Sequence, residues 1–162
     1  MEKPVISIKN NISMKVIYLS FKGNYIEFRK NSQSMYENLF KFAIANNLLR
    51  GEKNLIMTIY HDNPFITKVD ELNTSVAMTI EDGLIIPEDN LIKSMVISGN
   101  FAIARFNLRL NDYGEAWGYI YKDWLFNSQY VPRNSFPFEM YITKPPRNFK
   151  DTSVTDIYIP IE

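Results

Sequence analysis

Residues 155–161 read "TDIYIPI", and residues 74–80 read "TSVAMTI". In the first stretch Thr155, Ile157, Ile159 and Ile161 point one way, and Asp156, Tyr158 and Pro160 the other. Alternation of this kind marks a half-buried strand. The second stretch keeps the same framework 81 residues earlier. Sliding the chain by that interval pairs residues 31–81 with 112–162 and gives 8 identities in 51 pairs. Among them are Tyr60 with Tyr141, Pro64 with Pro145, Thr74 with Thr155 and Ile80 with Ile161. Where identity fails, apolar character still matches, as in Val76 with Ile157, Met78 with Ile159 and Leu39 with Ile120. Two copies at so long a period indicate a duplicated half-domain, not a solenoid. The expectation is one domain, 1–162, made of pseudo-repeats 1–81 and 82–162.

Each half carries the same order of elements. Residues 4–8 and 14–21 read as a hairpin around Lys9-Asn10-Asn11, and 91–97 and 101–108 repeat it around Ser98-Gly99-Asn100. Asn and Gly between β-rich runs are hairpin signals. Helices are expected over 32–48 and 113–127, capped by Ser32 and by Asn111 or Asp112. In the second helix Trp117, Ile120, Tyr121 and Trp124 fall at helical spacing and form one apolar stripe. Strands at about 55–61 and 73–80 close the first half, and strands at 137–143 and 154–161 close the second. Pro64 and Pro145-Pro146 mark the loops between them, and residues 82–90 join the halves. The fold class is α+β, an antiparallel sheet with helices laid on it.

Composition limits the functional classes. Among 162 residues, 18 basic side chains balance 18 acidic ones. A general nucleic-acid binder would need a basic surface to neutralise phosphates, so direct nucleic-acid binding is not expected. There is no cysteine, hence no disulfide framework and no thiolate zinc site. The N-terminus lacks the apolar core of a signal peptide, and no apolar run approaches the roughly 20 residues that span a bilayer. A cytoplasmic protein without membrane attachment, metal or cofactor is expected. Aromatic residues make 14% of the chain, enough for a pocket whose ring faces hold flat or cationic molecules.

The chemistry lies where the halves differ. Asp156 replaces Ser75, Glu139 replaces Thr58, and Tyr158 replaces Ala77. Asp156 shares a strand face with Tyr158, as Glu139 does with Tyr141, so each of two neighbouring strands carries an acid-x-Tyr pair. Carboxylates among aromatics complement a flat cation. The plain alternatives are a solvated face, or Asp156 bonded to a backbone N–H or to an arginine such as Arg105. His61, the single histidine, stands beside Asp62, but no Gly-x-Ser-x-Gly motif accompanies it. Tyr60 and His61, adjacent on a strand, point to opposite faces. Catalysis at His61 is therefore disfavoured, and one histidine without clustered carboxylates argues against a metal. "KGNY" at 22–25 is a single-glycine turn, not a phosphate loop.

Four stretches together, "TIYHDNP" (58–64), "GEAWGYIYKDWL" (114–125), "FPFEMYITKP" (136–145) and the terminal "TDIYIPI", resemble the GyrI-like family. This is the effector-binding domain of AraC- and MerR-type activators and of the bacterial DNA gyrase inhibitory protein. The resemblance covers nearly the whole chain. It implies duplicated β-α-β-β units with an antiparallel sheet curling toward a barrel. It also implies a groove between the halves for lipophilic, often cationic aromatic compounds. Carried over by position, the family's Glu-x-Tyr on the last strand falls on Asp156 and Tyr158. Its upstream acid and tyrosine fall on Glu139 and Tyr141, and its helix tryptophan on Trp117. Tyr60, the repeat counterpart of Tyr141, and Tyr121, on the helical stripe with Trp117, complete the candidate ligand-binding set.

One departure matters: Asp156 stands where the family usually has Glu. Its shorter side chain shifts the expected anionic contact to Glu139. With Pro4 already inside the domain, the resemblance implies a stand-alone member without a DNA-binding module. The reading favours multidrug sensing or sequestration without turnover. The alternatives are hydrolysis of reactive electrophiles, with Glu139 as general base, or a protein-interaction role on DNA gyrase or another partner.

Overall fold

The computed structural model describes residues 1–162 and runs β1 (Val5–Lys22), α1 (Tyr25–Ala45), β2 (Ile56–Tyr60), β3 (Asn73–Ile80), β4 (Ile92–Arg109), α2 (Tyr113–Gly118), β5 (Phe138–Tyr141) and β6 (Thr152–Ile161). This is β-α-β-β twice, with antiparallel ladders, the α+β class expected from the alternation. Two compact units divide the chain. One is Ser13–Ser98; the other joins Met1–Ile12 to Gly99–Glu162.

In the unit Ser13–Ser98, β3 is the central strand. Lys15–Lys22 pairs with one of its edges and β2 with the other. Period-two geometry sends Val76, Met78 and Ile80 to the face where α1 lies. There they pack with Ile17 and with the helix residues Phe28, Met35, Leu39 and Ala43. Those helix positions recur at intervals of three to seven residues along one stripe, which is why α1 is amphipathic. The helix begins at Asn24, whose Oδ1 accepts the Glu27 N–H at 2.8 Å. It ends at Asn47, whose φ of +55° supplies the left-handed residue that lets Leu48 N–H reach back to the Ala43 carbonyl.

Two expectations are corrected here. Ser32 is not a cap; it lies inside α1, and its hydroxyl donates to the Arg29 carbonyl one turn back. Nor are there hairpins at residues 4–21 and 91–108. Each stretch is one strand of 18 residues. A reversal needs two successive turn residues with suitable geometry. Here single residues at positive φ, Asn11 at +55° and Gly99 at +113°, bend a strand that then continues. Glycine is favoured at position 99 by that φ, and the Arg133 guanidinium occupies the space that a Cβ would take.

In the other unit β6 is central, paired with β4 on one side and β5 on the other. Ile157, Ile159 and Ile161 pack with Ala102, Ala104, Phe106 and Leu108 of β4 and with Ala116, Ile120 and Leu125. The second helix has an unexpected course. After a single 3-10 turn at Leu110–Asp112 comes α2, which passes at Gly118 into a π-helical turn, Tyr119–Leu125. Asp112 precedes α2, but its carboxylate accepts the Arg109 N–H rather than capping the helix. Widening to i→i+5 bonding rotates the side chains beyond residue 118. Of the expected stripe, Trp117, Ile120 and Trp124 pack on one core cluster, and Tyr121 lies outside it, 41% exposed. Trp117 stacks on Tyr121, whereas Trp124 turns to stack on Tyr130.

Candidate functional site

The ladder between β5 and β6 decides which candidate residues can meet. Phe138 lies opposite Tyr158, Glu139 opposite Ile157, Met140 opposite Asp156, and Tyr141 opposite Thr155. Directly paired residues project from the same face. Glu139 and Tyr141 therefore share the helix-covered face with Ile157, while Asp156 and Tyr158 project from the other.

On the helix side, Glu139 is only 3% exposed. Its Oε1 accepts the Trp117 Nε1–H at 2.7 Å, and its Oε2 accepts the Tyr141 hydroxyl at 2.6 Å. An unsolvated carboxylate is costly unless hydrogen bonds meet its oxygens, and these two donors meet one each. The Trp117 ring stacks on Tyr121 at 6.1 Å with 16° between planes, and Tyr121 keeps 41% of its surface open. Tyr113 adds a hydroxyl bonded to Thr155 Oγ1 at 2.8 Å. Burial, helped by the nearby Glu139 charge, pushes that phenol up to about 12, so it stays neutral. The result is a carboxylate walled by indole and phenol rings, with one aromatic face reaching solvent.

The opposite face is organised differently. Asp156 is 5% exposed and takes a bidentate bond from Arg105, Nε to Oδ1 at 2.7 Å and Nη2 to Oδ2 at 2.8 Å. This is the arginine partnership weighed as an alternative from sequence. The hydrogen bond and charge of Asp156 raise the Arg105 pKa further, so the guanidinium stays charged. Tyr158 stacks on Phe138 at 4.5 Å and meets Phe101 edge-on at 5.8 Å. Burial first, then the Asp156 charge, raises its phenol. Arg133 lies over the Phe101 ring at 5.1 Å.

Tyr60 belongs to the unit Ser13–Ser98, on the helix-covered face of β2, and meets Tyr25 edge-on at 5.6 Å. His61 projects oppositely, 6.0 Å from the Tyr18 ring. The repeat is legible in chemistry as well as in fold. Tyr36 bonds Thr58 at 3.1 Å at the positions that Trp117 and Glu139 occupy 81 residues later. Likewise Ser20 bonds Ser75 at 2.6 Å at the ladder position of Arg105 and Asp156.

Thus Glu139, Tyr141, Trp117 and Tyr121 come together, and Asp156 with Tyr158 form a separate cluster. Tyr113, Phe101 and Phe138 were not read as site residues. Phe138 could have been found, since it stands one position from Glu139 and so on the face of the other acid-x-Tyr pair. Tyr113 gave no signal beyond its place near the helix start. Within the unit Ser13–Ser98, a cavity of about 780 Å³ is lined by Tyr18, Ile86, Pro87, Ile92 and polar residues of 88–94.

The family model that describes the GyrI-like small molecule binding domain matches residues 4–162. A "DNA gyrase inhibitor" of Yersinia enterocolitica is 28% identical over 89 residues, 53% of this chain. The match spans only 57% of that relative's length. Among solved structures, the EcmrR C-terminal domain superposes with a TM-score of 0.75 at 18% identity, over 98% of both chains. SAV2435, solved bound to tetraphenylphosphonium, superposes with a TM-score of 0.60 at 10% identity, over 98% of this chain and 94% of its own. At these identities the structural likenesses show the fold.

Proposed function

The chain belongs to the GyrI-like small molecule binding domain family, and from that premise we propose that it binds lipophilic, cationic aromatic compounds at the Glu139 cluster. The observation that carries the reading is the buried Glu139 carboxylate, held by Trp117 and Tyr141 and flanked by the Trp117–Tyr121 stack. The Trp117 and Tyr141 donors are neutral side chains that fix the orientation of the carboxylate. A cation drawn to it gains in a site from which water is largely excluded, and its rings add aromatic stacking. Tetraphenylphosphonium in the SAV2435 neighbour supports this ligand class. Tyr121, open to solvent and stacked on Trp117, is the first ring a ligand meets. Asp156 is engaged by Arg105 on the other face, so Glu139 takes the ligand's charge.

The test is a titration with ethidium, followed by quenching of Trp117 fluorescence in a Trp124→Phe background. Saturable binding in the micromolar range is expected; linear, unsaturating quenching contradicts the reading. Sensing or sequestration of such compounds is the role we assign.

A further inference from the structure

Outside the Glu139 cluster, the unit Ser13–Ser98 holds three side chains in one hydrogen-bonded line. Ser75 Oγ lies 2.6 Å from His61 Nε2 and 2.6 Å from Ser20 Oγ. Ser20 and Ser75 are direct ladder partners on β1 and β3, and the His61 backbone N–H donates to the Asn73 carbonyl, which fixes the chain at the end of β2. Burial is graded along the line. Ser75 is fully buried, His61 half-buried, and Ser20 exposed. We propose that Ser20 is an activated nucleophile, with His61 as a general base acting through Ser75, and that the site takes acyl groups from activated esters and releases them to water.

The arrangement requires one direction of hydrogen bonding, which the imidazole tautomer sets. A neutral imidazole protonated at Nδ1 leaves Nε2 an acceptor. Ser75 then donates to Nε2, and Ser20 donates to Ser75. The lone pairs of Ser20 Oγ remain available on the exposed side. A nucleophile oriented by a base that is itself oriented is the general form of triad chemistry. Satisfying buried Ser75 would need only one partner; here it has two at short range, one of them a base. The fold does not impose the serines, since the same ladder position in the other unit holds Arg105 with Asp156. The repeat counterpart of His61 is Ile142, so that half has no base in line.

The environment fits a base. Burial lowers the His61 pKa below its ordinary 6.5, and the neighbouring Asp62 charge opposes this more weakly. The imidazole is therefore neutral at pH 7. The titratable groups facing it are Tyr18 of β1, at 6.0 Å between rings, and Asp62, whose Oδ2 accepts from Asn73 N and Nδ2. Tyr18, two residues from Ser20 on the same strand face, also lines the 780 Å³ cleft, whose other walls are Ile86, Pro87 and Ile92 with the polar residues Glu88, Asp89, Asn90, Lys93 and Ser94.

The step balances. Ser20 Oγ bonds to the ester carbonyl carbon as its proton passes to Ser75 and the Ser75 proton passes to His61 Nε2. The tetrahedral adduct collapses with cleavage of the C–O bond to the leaving group, which recovers the proton through the same line. Water attacks the acyl-serine by the same transfers and releases the carboxylic acid.

The experiment is turnover of p-nitrophenyl acetate by the full chain, with fluorophosphonate labelling mapped by peptide mass spectrometry. A single adduct on Ser20 is expected. Ser20→Ala should abolish it and reduce turnover on the order of 10²-fold, the scale of lost acid–base assistance. Wild-type turnover should rise with pH through a midpoint below 6.5, and His61→Gln should remove that inflection, which a purely structural histidine would not do. Absence of an adduct, an adduct elsewhere, undiminished turnover in Ser20→Ala, or an inflection that survives His61→Gln overturns the proposal. Ester turnover with serine labelling here and ethidium binding at Glu139 are independent readouts, so failure of this proposal and failure of ligand binding at Glu139 are separate results.

Discussion

Glu139 and Asp156, the two acids that distinguish the second half of the chain from the first, leave their sheet on opposite faces. Glu139 is registered with Ile157, and Asp156 with Met140. The acids therefore do not add into one anionic site. Glu139 faces the helix and is held by Trp117 and Tyr141; Asp156 faces away and is held by Arg105. Their substitutions should have different consequences.

Trp117→Phe keeps a ring in the stack but removes the indole N–H from Glu139. A buried carboxylate deprived of one donor costs about 1–3 kcal/mol. The urea midpoint should fall by that equivalent with an unchanged denaturant slope. An unaltered midpoint would show that the indole bond does not hold the carboxylate.

The Arg105–Asp156 pair is asymmetric, with Arg105 54% exposed and Asp156 7% on a side-chain basis. Arg105→Ser leaves a charge buried without its guanidinium and should destabilise by about 1–3 kcal/mol. Adding Asp156→Ser recreates the Ser20–Ser75 pairing of the first half and should recover most of that loss. A double variant no more stable than Arg105→Ser would contradict the equivalence of the two ladder positions.

His61 is the single histidine, so its titration is observable without assignment ambiguity. Its folded pKa lies below the ordinary 6.5, because burial penalises the imidazolium. Between that lower value and 6.5 the unfolded chain binds a proton that the folded chain does not. Stability should therefore fall as pH drops through this window and be fully retained above it. His61→Gln should flatten that part of the pH profile. A proton NMR midpoint above 6.5 would reverse the sign.

The strands at 55–61, 73–80, 137–143 and 154–161 were legible from their β-rich composition and, in 155–161, from alternation of residue type, although β3 and β6 are buried on both faces and not half-buried as the alternation suggested. β1 and β4 were misread for a local reason. Asn11 and Gly99 at positive φ look alike in sequence whether the chain reverses or merely bends. What settles it is the partner strand, β3 or β6, more than forty residues away in sequence. The true start of α1 was written in Asn24 and Glu27, cap and third helical residue, a signal masked by Ser32. At the candidate site the residue types were legible but their grouping was not. Acids and tyrosines advertise a polar aromatic cluster. Whether Glu139 joins Asp156 depends on the register across residues 142–151, which no local pattern specifies.

The most direct measurement is the affinity of Glu139→Gln, relative to wild type, for ethidium and for an uncharged aromatic of similar size. Removing the charge while keeping the side chain's shape should weaken ethidium by about 1–3 kcal/mol, roughly five- to 150-fold, and leave the neutral compound within a few-fold. Equal losses for both compounds, or none for ethidium, would contradict the assignment of Glu139 as the anionic contact.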